Sequence, residues 1–177
     1  MPLNHRIALP IYGIPIFTSA FLVFAVQPLF GKLALPLLGG SPSVWNTAML
    51  FFQTVLLLGY GYAHLSVRYL KPQVQIGLHI VIMLAAFAAL PITLSATWTT
   101  PGTHPPVFWL LGLLAVSAGL PFFAISSNAP LLQRWFAHTN HAAADDPYFL
   151  YAAGNAGSIL ALLAYPTIIE PMLSVKN

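Results

Sequence analysis

The stretch FAVQPLFGKLALPLLGGSPSVWN, from Phe24 to Asn46, combines an apolar background with residues that interrupt membrane helices. It is apolar enough to lie in a bilayer, yet it carries prolines, two carboxamides, a lysine and a pair of adjacent glycines. Backbone polar groups in hydrocarbon must be hydrogen-bonded, so irregular chain is tolerated there only against protein or water. The stretch therefore predicts a first helix that ends near Phe30, a segment Leu33–Leu38 that lies at the interface or dips back into the membrane, and a turn at Gly39.

The composition of the chain requires a membrane as its solvent. Of the 177 residues, 58% are hydrophobic and 5% are charged, against roughly 25% charged residues in a soluble domain. So few charges cannot cover the surface of a soluble fold of this size. The six basic residues are too few for the clustered lysine and arginine of a nucleic-acid interface, and there is no cysteine for a disulfide or a thiolate metal site.

Apolar stretches long enough to cross a bilayer define the predicted fold. A spanning helix needs about 20 predominantly apolar residues, and proline, glycine or charged residues separate five such stretches. These are approximately residues 11–30, 44–65, 74–95, 107–127 and 148–169. No clear small-residue cleavage site follows the first, so we interpret it as a retained helix rather than a signal peptide. The sequence predicts an all-α, polytopic transmembrane bundle of about five helices in a single domain.

Lysine and arginine in the connecting segments predict the orientation of the bundle. Positively charged loops tend to stay on the cytoplasmic side, and an N-terminus inside places most of the basic residues there. Those inside are Arg6, Arg68, Lys71 and Arg134, and those outside are Lys32 and Lys176. The uncharged loop TWTTPGTHPP, residues 97–106, then lies outside. The prediction is a multi-pass protein of the bacterial inner membrane with a cytoplasmic N-terminus.

Acidic residues are concentrated at the two ends of the fifth stretch. Asp145 or Asp146 is positioned to cap the fifth helix, with Pro147 in its first turn. Asp146 can also pair with Arg134 across the preceding loop, although exposed ion pairs contribute little stability. Glu170 has no base close to it in sequence, so we expect a solvated carboxylate at the interface.

Polar side chains inside the apolar stretches are the candidate functional residues. They are expensive in a membrane and usually face the bundle interior or a wet cavity. We predict that five carboxamides line a ligand site, although each can instead form an interhelical hydrogen bond. They are Gln27, Asn46, Gln53, Asn128 and Asn155. Asn46 and Gln53 are seven residues apart and share a helix face, and the small residues around Asn155 predict a close helix–helix seam.

His64 and His79 lie on the second and third helices, near the interface that contains the connecting loop. One metal or haem, or a pigment such as chlorophyll, can in principle bridge them. The alternative is that they are hydrogen-bonded or interfacial histidines, which the lack of a second histidine pair or a c-type attachment motif favours. His138 and His141 lie three residues apart but lack the further ligands of a zinc site, so no metal is predicted.

Two segments are similar enough to suggest an internal repeat. SAFLVFAVQPLFGK, residues 19–32, and SAGLPFFAISSNAPLLQRW, residues 117–135, each run from Ser-Ala through aromatic residues to a carboxamide close to proline and then a basic residue. An odd number of crossings separates them, so the copies would have opposite orientations. Inverted repeats with interrupted helices indicate a transport site near the membrane midplane, and a sixth helix would then be missing. Chance similarity between apolar segments is the alternative.

Three segments resemble the membrane domain of spermidine-synthase-like membrane proteins, often described as fused MFS/spermidine synthase proteins. They are AVQPLFGKLALPLLGGSPSVWNTAMLFFQTVLLLGYGYAH (residues 25–64), SSNAPLLQRWF (126–136) and DPYFLYAAGNAGSILALLAYP (146–166). In that family a multi-helix membrane domain precedes a soluble aminopropyltransferase-like domain. The 177 residues contain no Gly-rich nucleotide fingerprint and no paired catalytic acids, so the resemblance implies the membrane fold rather than polyamine synthesis.

The predicted function is non-enzymatic, because no nucleophile, base and orienting group occur in a recognisable constellation. The leading prediction is a membrane module that binds a small molecule or takes part in its translocation. The competing prediction is an accessory subunit packed against a larger respiratory or photosynthetic membrane complex, or against other copies of itself. A third prediction is the membrane partner of a separate, soluble aminopropyltransferase-like protein. The lipid bilayer is a partner in each case, and nucleic acid is not.

Overall fold

The computed structural model describes residue 7, residues 9–90 and residues 106–172, and this part of the chain forms five helices and no strand. α1 is Ile14–Leu38, preceded by a π turn at Leu9–Gly13, α2 is Pro42–Tyr69, and α3 is Pro72–Ala88. α4 is Pro106–Ala137, with a π turn at Ala115–Gly119, and α5 is Tyr148–Met172, with a π turn at Tyr165–Ile169. The predicted all-α bundle is confirmed.

Helix length and composition indicate a multi-pass membrane protein. Among the described residues, α1, α2, α4 and α5 contain stretches long and apolar enough to cross a membrane. α3 is apolar too but has 17 residues. At about 1.5 Å per residue it extends roughly 25 Å, slightly less than the hydrocarbon core of about 30 Å. The end of the predicted third span, residues 91–95, and loop residues 97–105 lie outside the described residues.

Contacts at both ends show how α1 and α5 are oriented. Phe17 near the beginning of α1 lies against Gly157 in the first half of α5, and Lys32 pairs with Glu170 further along both helices, with 3.3 Å between Nζ and Oε1. The two helices are therefore parallel, and they are in extensive contact. No basic partner was predicted for Glu170, and the ion pair corrects this prediction: Lys32 on α1 is that partner.

α4 runs antiparallel to α1 and α3 and parallel to α2. Ser19, early in α1, bonds to Asn128, late in α4, and the beginning of α3 meets the same end of α4. The first turns of α2 and α4 are adjacent, and further along Gly59 lies against Ser126. Directions therefore alternate along the chain, as five membrane crossings require. An inverted repeat would need the same alternation, and that repeat stays a prediction.

α1 continues through Pro28 to Leu38, so the prediction that it ends near Phe30 is wrong. Residues 33–38 belong to this helix and do not form a separate re-entrant segment, and their location at the interface stays a prediction. A proline inside a helix removes one donor and leaves one carbonyl unpaired, a local loss that packing can offset. Phe30 is 2% exposed, and its ring centre lies 6.0 Å from that of Phe52 on α2. The glycine turn is confirmed: Gly39 has a φ of 74°, a conformation that disfavours a side chain.

The other corrections concern the segment between α4 and α5. α4 continues past its predicted end, through Pro130 to Ala137. No carboxylate caps α5, because Pro147 occupies the cap position and the cap has no side-chain hydrogen bond. The predicted ion pair between Arg134 and Asp146, both in the described part of the chain, does not form. The last residues of α4, up to Ala137, therefore belong to a segment that the sequence analysis assigned to a loop.

Glycines allow two helix pairs to approach closely. A Cβ added at Gly157 would meet the backbone of Phe17 and Phe21 on α1, and one added at Gly59 of α2 would meet Ser126 and the backbone of Ser127 on α4. Helix association in a membrane depends on such close packing, since lipid tails are as apolar as the side chains. The seam predicted for the small residues of α5 is confirmed.

Single-cysteine labelling tests the alternating directions, because the chain has no cysteine of its own. Ser41 lies between α1 and α2, Asn140 lies between α4 and α5, and both are exposed. We expect Ser41→Cys and Asn140→Cys to react with a membrane-impermeant maleimide from opposite sides of the bilayer. Reaction of both from the same side would contradict the arrangement.

Candidate functional site

Three helices meet at a partly buried, hydrogen-bonded carboxamide. Asn128 on α4 donates from Nδ2 to Ser19 Oγ on α1 at 2.6 Å, and its Oδ1 lies 3.3 Å from His79 Nε2 on α3. Ser19 is 4% exposed and His79 is 5% exposed. At about 1.5 Å per residue, His79 lies roughly 10 Å along α3 from its first residue. One side chain therefore links three helices inside the bundle, as interhelical polar contacts in membranes do.

A second set of bonds continues from this point toward the turn between α2 and α3. Trp135 donates from Nε1 to Gln75 Oε1 at 2.8 Å, and Gln75 Nε2 donates to the Leu70 carbonyl oxygen at 2.8 Å. The Trp135 indole also meets the His79 imidazole edge-on, with 6.0 Å between ring centres. We name the connected group the His79 cluster, which consists of Ser19, Tyr62, Gln75, His79, Asn128 and Trp135.

The bonding pattern determines which nitrogen of His79 accepts. Asn128 uses its Nδ2 for Ser19, so its oxygen is the acceptor of the other bond and His79 donates from Nε2. In a neutral imidazole, Nδ1 is then an acceptor. His79 Nδ1 and Tyr62 Oη are both buried without a hydrogen-bond partner in the described part of the chain. The two rings stack with centres 6.3 Å apart, so an unpaired acceptor and an unpaired donor belong to neighbouring rings.

A large apolar groove borders the His79 cluster on the side of Tyr62. It has a volume of about 780 Å³ and lies between α2 and α3, with Phe123 of α4 in its wall. Leu57 and Leu65 in its wall are 72% and 54% exposed in the chain. The groove therefore opens on the outer surface of the bundle, where lipid lies. Tyr62 and Ser66 lie in this wall, but their hydroxyl groups are buried behind an apolar surface: Tyr62 Oη has no partner in the described part of the chain, and Ser66 Oγ donates to the Ala63 carbonyl oxygen at 3.0 Å.

A smaller and more polar cavity borders the cluster on the side of Gln75 and Trp135. Its volume is about 410 Å³, and Tyr12, Arg134 and His138 also line it. Arg134 and His138 lie at the end of α4, where the membrane interface is expected. Leu70 belongs to the walls of both the groove and the cavity. The His79 cluster thus lies between an apolar groove and a polar, cationic cavity.

The structure brings together two of the residues that the sequence suggested for a site, Asn128 and His79. His64 does not join them: it is exposed and lines a separate groove of about 260 Å³ beside Arg134 and Pro130. His79 faces the cluster instead, so the structure does not place the two histidines around one haem or metal. The part of the chain that the structure describes contains no group of three or more His, Cys, Asp or Glu residues arranged as metal ligands.

The other four predicted carboxamides do not converge on Asn128. Asn46 and Gln53 share one face of α2 as predicted, and that face is exposed. Gln27 is partly buried and forms no hydrogen bond with the described residues, and Asn155 is exposed in the wall of a cleft of about 430 Å³ between α1, α4 and α5. The prediction of a single site built from Gln27, Asn46, Gln53, Asn128 and Asn155 is therefore wrong: only Asn128 lies in the His79 cluster, because each carboxamide follows the face of its own helix.

Several members of the His79 cluster were missing from the sequence prediction. Gln75 and His79 are four residues apart and Asn128 and Trp135 are seven apart, spacings that place each pair on one helix face. That signal was present in the sequence. Tyr62 gave no such signal, because its place in the cluster depends on the packing of α2 against α3 and α4.

Comparison with protein-family models, with curated proteins and with solved structures gives no match to this chain. The relation to spermidine-synthase-like membrane proteins therefore stays a prediction from sequence motifs. The chemistry of the His79 cluster and its two cavities is the basis for functional inference.

Proposed function

We propose that the chain is a non-catalytic membrane module that binds a small amphiphilic molecule at the His79 cluster. The observation that carries this proposal is the pair of buried atoms without partners, Tyr62 Oη and His79 Nδ1. A buried polar group left without a hydrogen bond costs about 1–3 kcal/mol, so native proteins rarely leave two on neighbouring rings. A ligand hydroxyl that reaches between the two rings would accept from Tyr62 Oη and donate to His79 Nδ1.

The shape and polarity of the neighbouring space support an amphiphile rather than a polar ligand. Small-molecule sites are typically clefts of about 300–1,000 Å³, mostly apolar, with a few placed polar groups. The groove of about 780 Å³ beside Tyr62 has this size and an apolar lining, and it opens toward lipid. The apolar part of the ligand lies in this groove, and its hydroxyl lies against Tyr62 and His79.

The polar cavity adds a route to the membrane surface. Gln75 and Trp135 of the His79 cluster line a cavity that Arg134 and His138 also line, so a ligand that enters from lipid has a polar space ahead of it. Binding is then the first step of translocation. With the predicted orientation in the bacterial inner membrane, this cavity opens to the cytoplasm.

The family relation suggested by the sequence is part of this proposal. Motifs such as DPYFLYAAGNAGSILALLAYP, residues 146–166, support a chain that corresponds to the membrane half of spermidine-synthase-like proteins. Its partner is then a separate, soluble aminopropyltransferase-like protein. Affinity purification of the full chain from native membranes tests this relation, since the partner should co-purify in stoichiometric amounts.

Quenching of tryptophan fluorescence by bromododecanol with the bromine on the carbon next to the hydroxyl-bearing carbon tests the ligand site, because bromine quenches indole at short range and Trp135 contacts His79. We expect saturable quenching of the purified chain. In the double variant Tyr62→Phe, His79→Leu the apparent affinity should fall roughly tenfold or more, since two hydrogen bonds are lost. Tyr151→Phe, in a different cleft, is the matched control and should retain the original affinity.

Two results would contradict the binding proposal. The first is equal affinity for bromododecanol in the original chain and the double variant. The second is equal quenching by bromododecane, which has the same apolar chain but no hydroxyl. A loss of quenching in Trp135→Phe confirms that the signal comes from this site rather than from probe dissolved in the detergent.

A second candidate function, contact between chains, is favoured by a different observation. Gln53 is exposed near the middle of α2, and an outward carboxamide at that depth needs a partner. A structural role, within an assembly of several chains, is therefore compatible with ligand binding at the His79 cluster.

A further inference from the structure

Gln53 lies at a depth from which its side chain cannot reach water. At about 1.5 Å per residue, it is roughly 16 Å from the Pro42 end of α2 and roughly 24 Å from the Tyr69 end. The side chain is exposed and forms no hydrogen bond with the described part of the chain. Polar side chains facing hydrocarbon are costly and rarely face lipid. A partner molecule must therefore supply the hydrogen bonds of this carboxamide.

The chemistry of a carboxamide makes a second copy of the same chain a suitable partner. A carboxamide both donates and accepts, so two of them can pair with each other. All copies of a membrane chain insert with the same orientation, and a two-fold axis along the membrane normal is then the simplest closed symmetry. Such an axis brings residues of equal depth together. Gln53 of one copy therefore meets Gln53 of the other.

The exposed residues around Gln53 repeat with the spacing of a helix–helix seam. Intervals of four and three residues alternate along this face, as in the heptads of a left-handed coiled coil. The residues are Asn46, Leu50, Gln53, Leu57, Tyr60 and His64, and all of them are exposed. Leu50 and Leu57 lie on either side of the carboxamide and are 60% and 72% exposed. Both are large apolar side chains of the kind that pack between two helices. A polar residue at one seam position fixes register and oligomeric state.

We infer that this face of α2, the Gln53 seam, is the interface of a parallel, two-fold symmetric homodimer in the membrane. The Gln53 pair at the centre supplies hydrogen bonds that lipid cannot supply. Asn46 lies two helical turns nearer to the membrane surface on the same face. Gln53 belongs neither to the His79 cluster nor to the groove beside it, but Leu57 of the seam also lines that groove.

Disulfide cross-linking in reconstituted bilayers tests the Gln53 seam without background, since the chain has no cysteine. Leu50→Cys places a thiol on the seam, near its own copy across the axis. Val81→Cys on α3 is the matched control, because it is 61% exposed and lies at a similar distance from the start of its helix. We expect mild oxidation to give a species of twice the chain mass with Leu50→Cys and little with Val81→Cys.

The Gln53→Leu substitution then tests the carboxamide itself. Interhelical polar pairs in membranes vary in strength, and removal of this pair should weaken dimerisation roughly 3- to 30-fold. Cross-linking of Leu50→Cys should fall accordingly when Gln53→Leu is added. Thr54→Val should leave it unchanged, because the Thr54 hydroxyl already donates to the Leu50 carbonyl oxygen of its own helix at 2.7 Å.

Three outcomes would overturn the inference. Equal cross-linking from Leu50→Cys and Val81→Cys would show random collision rather than an interface. A monomer at every protein-to-lipid ratio would show that lipid alone covers the seam. Cross-linking of Leu50→Cys in native membranes to a chain of different mass would show that the partner is another protein.

Discussion

Gly157→Ala destabilises the bundle, whereas Gly154→Ala on the same helix leaves its stability unchanged or slightly raised. A Cβ at residue 157 would meet the carbonyl oxygen of Phe17 and lie 3.1 Å from its carbonyl carbon and 3.2 Å from the amide nitrogen of Phe21. These are backbone atoms, which cannot rotate away, so α1 and α5 must separate. Forcing extra atoms into a packed contact costs about 1–3 kcal/mol. No gain in apolar burial offsets this cost, because lipid is already apolar.

Gly154→Ala is the matched control, because it adds the same Cβ to the same helix and differs from Gly157→Ala in the atoms that this Cβ meets. A Cβ there would lie 3.6 Å from Ile16 Cγ2, an ordinary van der Waals distance, and alanine favours the helix over glycine by roughly 1 kcal/mol. Unfolding by sodium dodecyl sulfate in mixed micelles, followed by circular dichroism, measures both variants. Equal stability of Gly157→Ala and Gly154→Ala would show that the close approach of α1 and α5 is absent.

The existence of the helices was predictable because their signal is local. Each of the five apolar stretches is read from about 20 consecutive residues, and each corresponds to a helix in the described part of the chain. The helix ends were less predictable. Whether a helix stops at Pro28 or Pro130 depends on what packs around it, and the ring of Phe52 that supports Phe30 comes from another helix. A proline in sequence does not contain that information.

The candidate site was predictable as a set of residues but not as an arrangement. Asn128 and His79 were recognisable because each is a polar side chain in an apolar stretch. Their contact was not recognisable, because it depends on α3 running antiparallel to α4. For the same reason the sequence grouped Asn46 and Gln53 with Asn128, whereas the structure places them on an outer face. The type of a residue and its depth in the membrane can be predicted from the nearby sequence. The direction in which its helix face points depends on the other helices.

Asn128→Leu destabilises the bundle by roughly 1–3 kcal/mol, the cost of leaving buried polar groups without partners. Leucine is similar in size to asparagine, so the substitution mainly removes hydrogen bonds. The His79 Nε2–H then has no acceptor in a dry interior, and Ser19 loses its bond at 2.6 Å. Ser19 can return to a carbonyl of its own helix, as Ser126 and Ser127 do at 2.9 and 3.0 Å. His79 has no such alternative, so most of the loss lies at the imidazole.

Adding His79→Leu to Asn128→Leu should therefore cost less than the sum of the two single substitutions. Replacing both partners of a buried hydrogen bond by apolar groups removes the unsatisfied atom as well as the bond. Coupling energies of this kind in membrane proteins average about 0.6 kcal/mol and reach about 1.7 kcal/mol. A double-mutant cycle in mixed micelles measures this coupling for His79 and Asn128. Strictly additive losses of stability would mean that the 3.3 Å contact between the two side chains contributes no stability. Packing and the hydrogen bond between Trp135 and Gln75 would then hold α3 to α4.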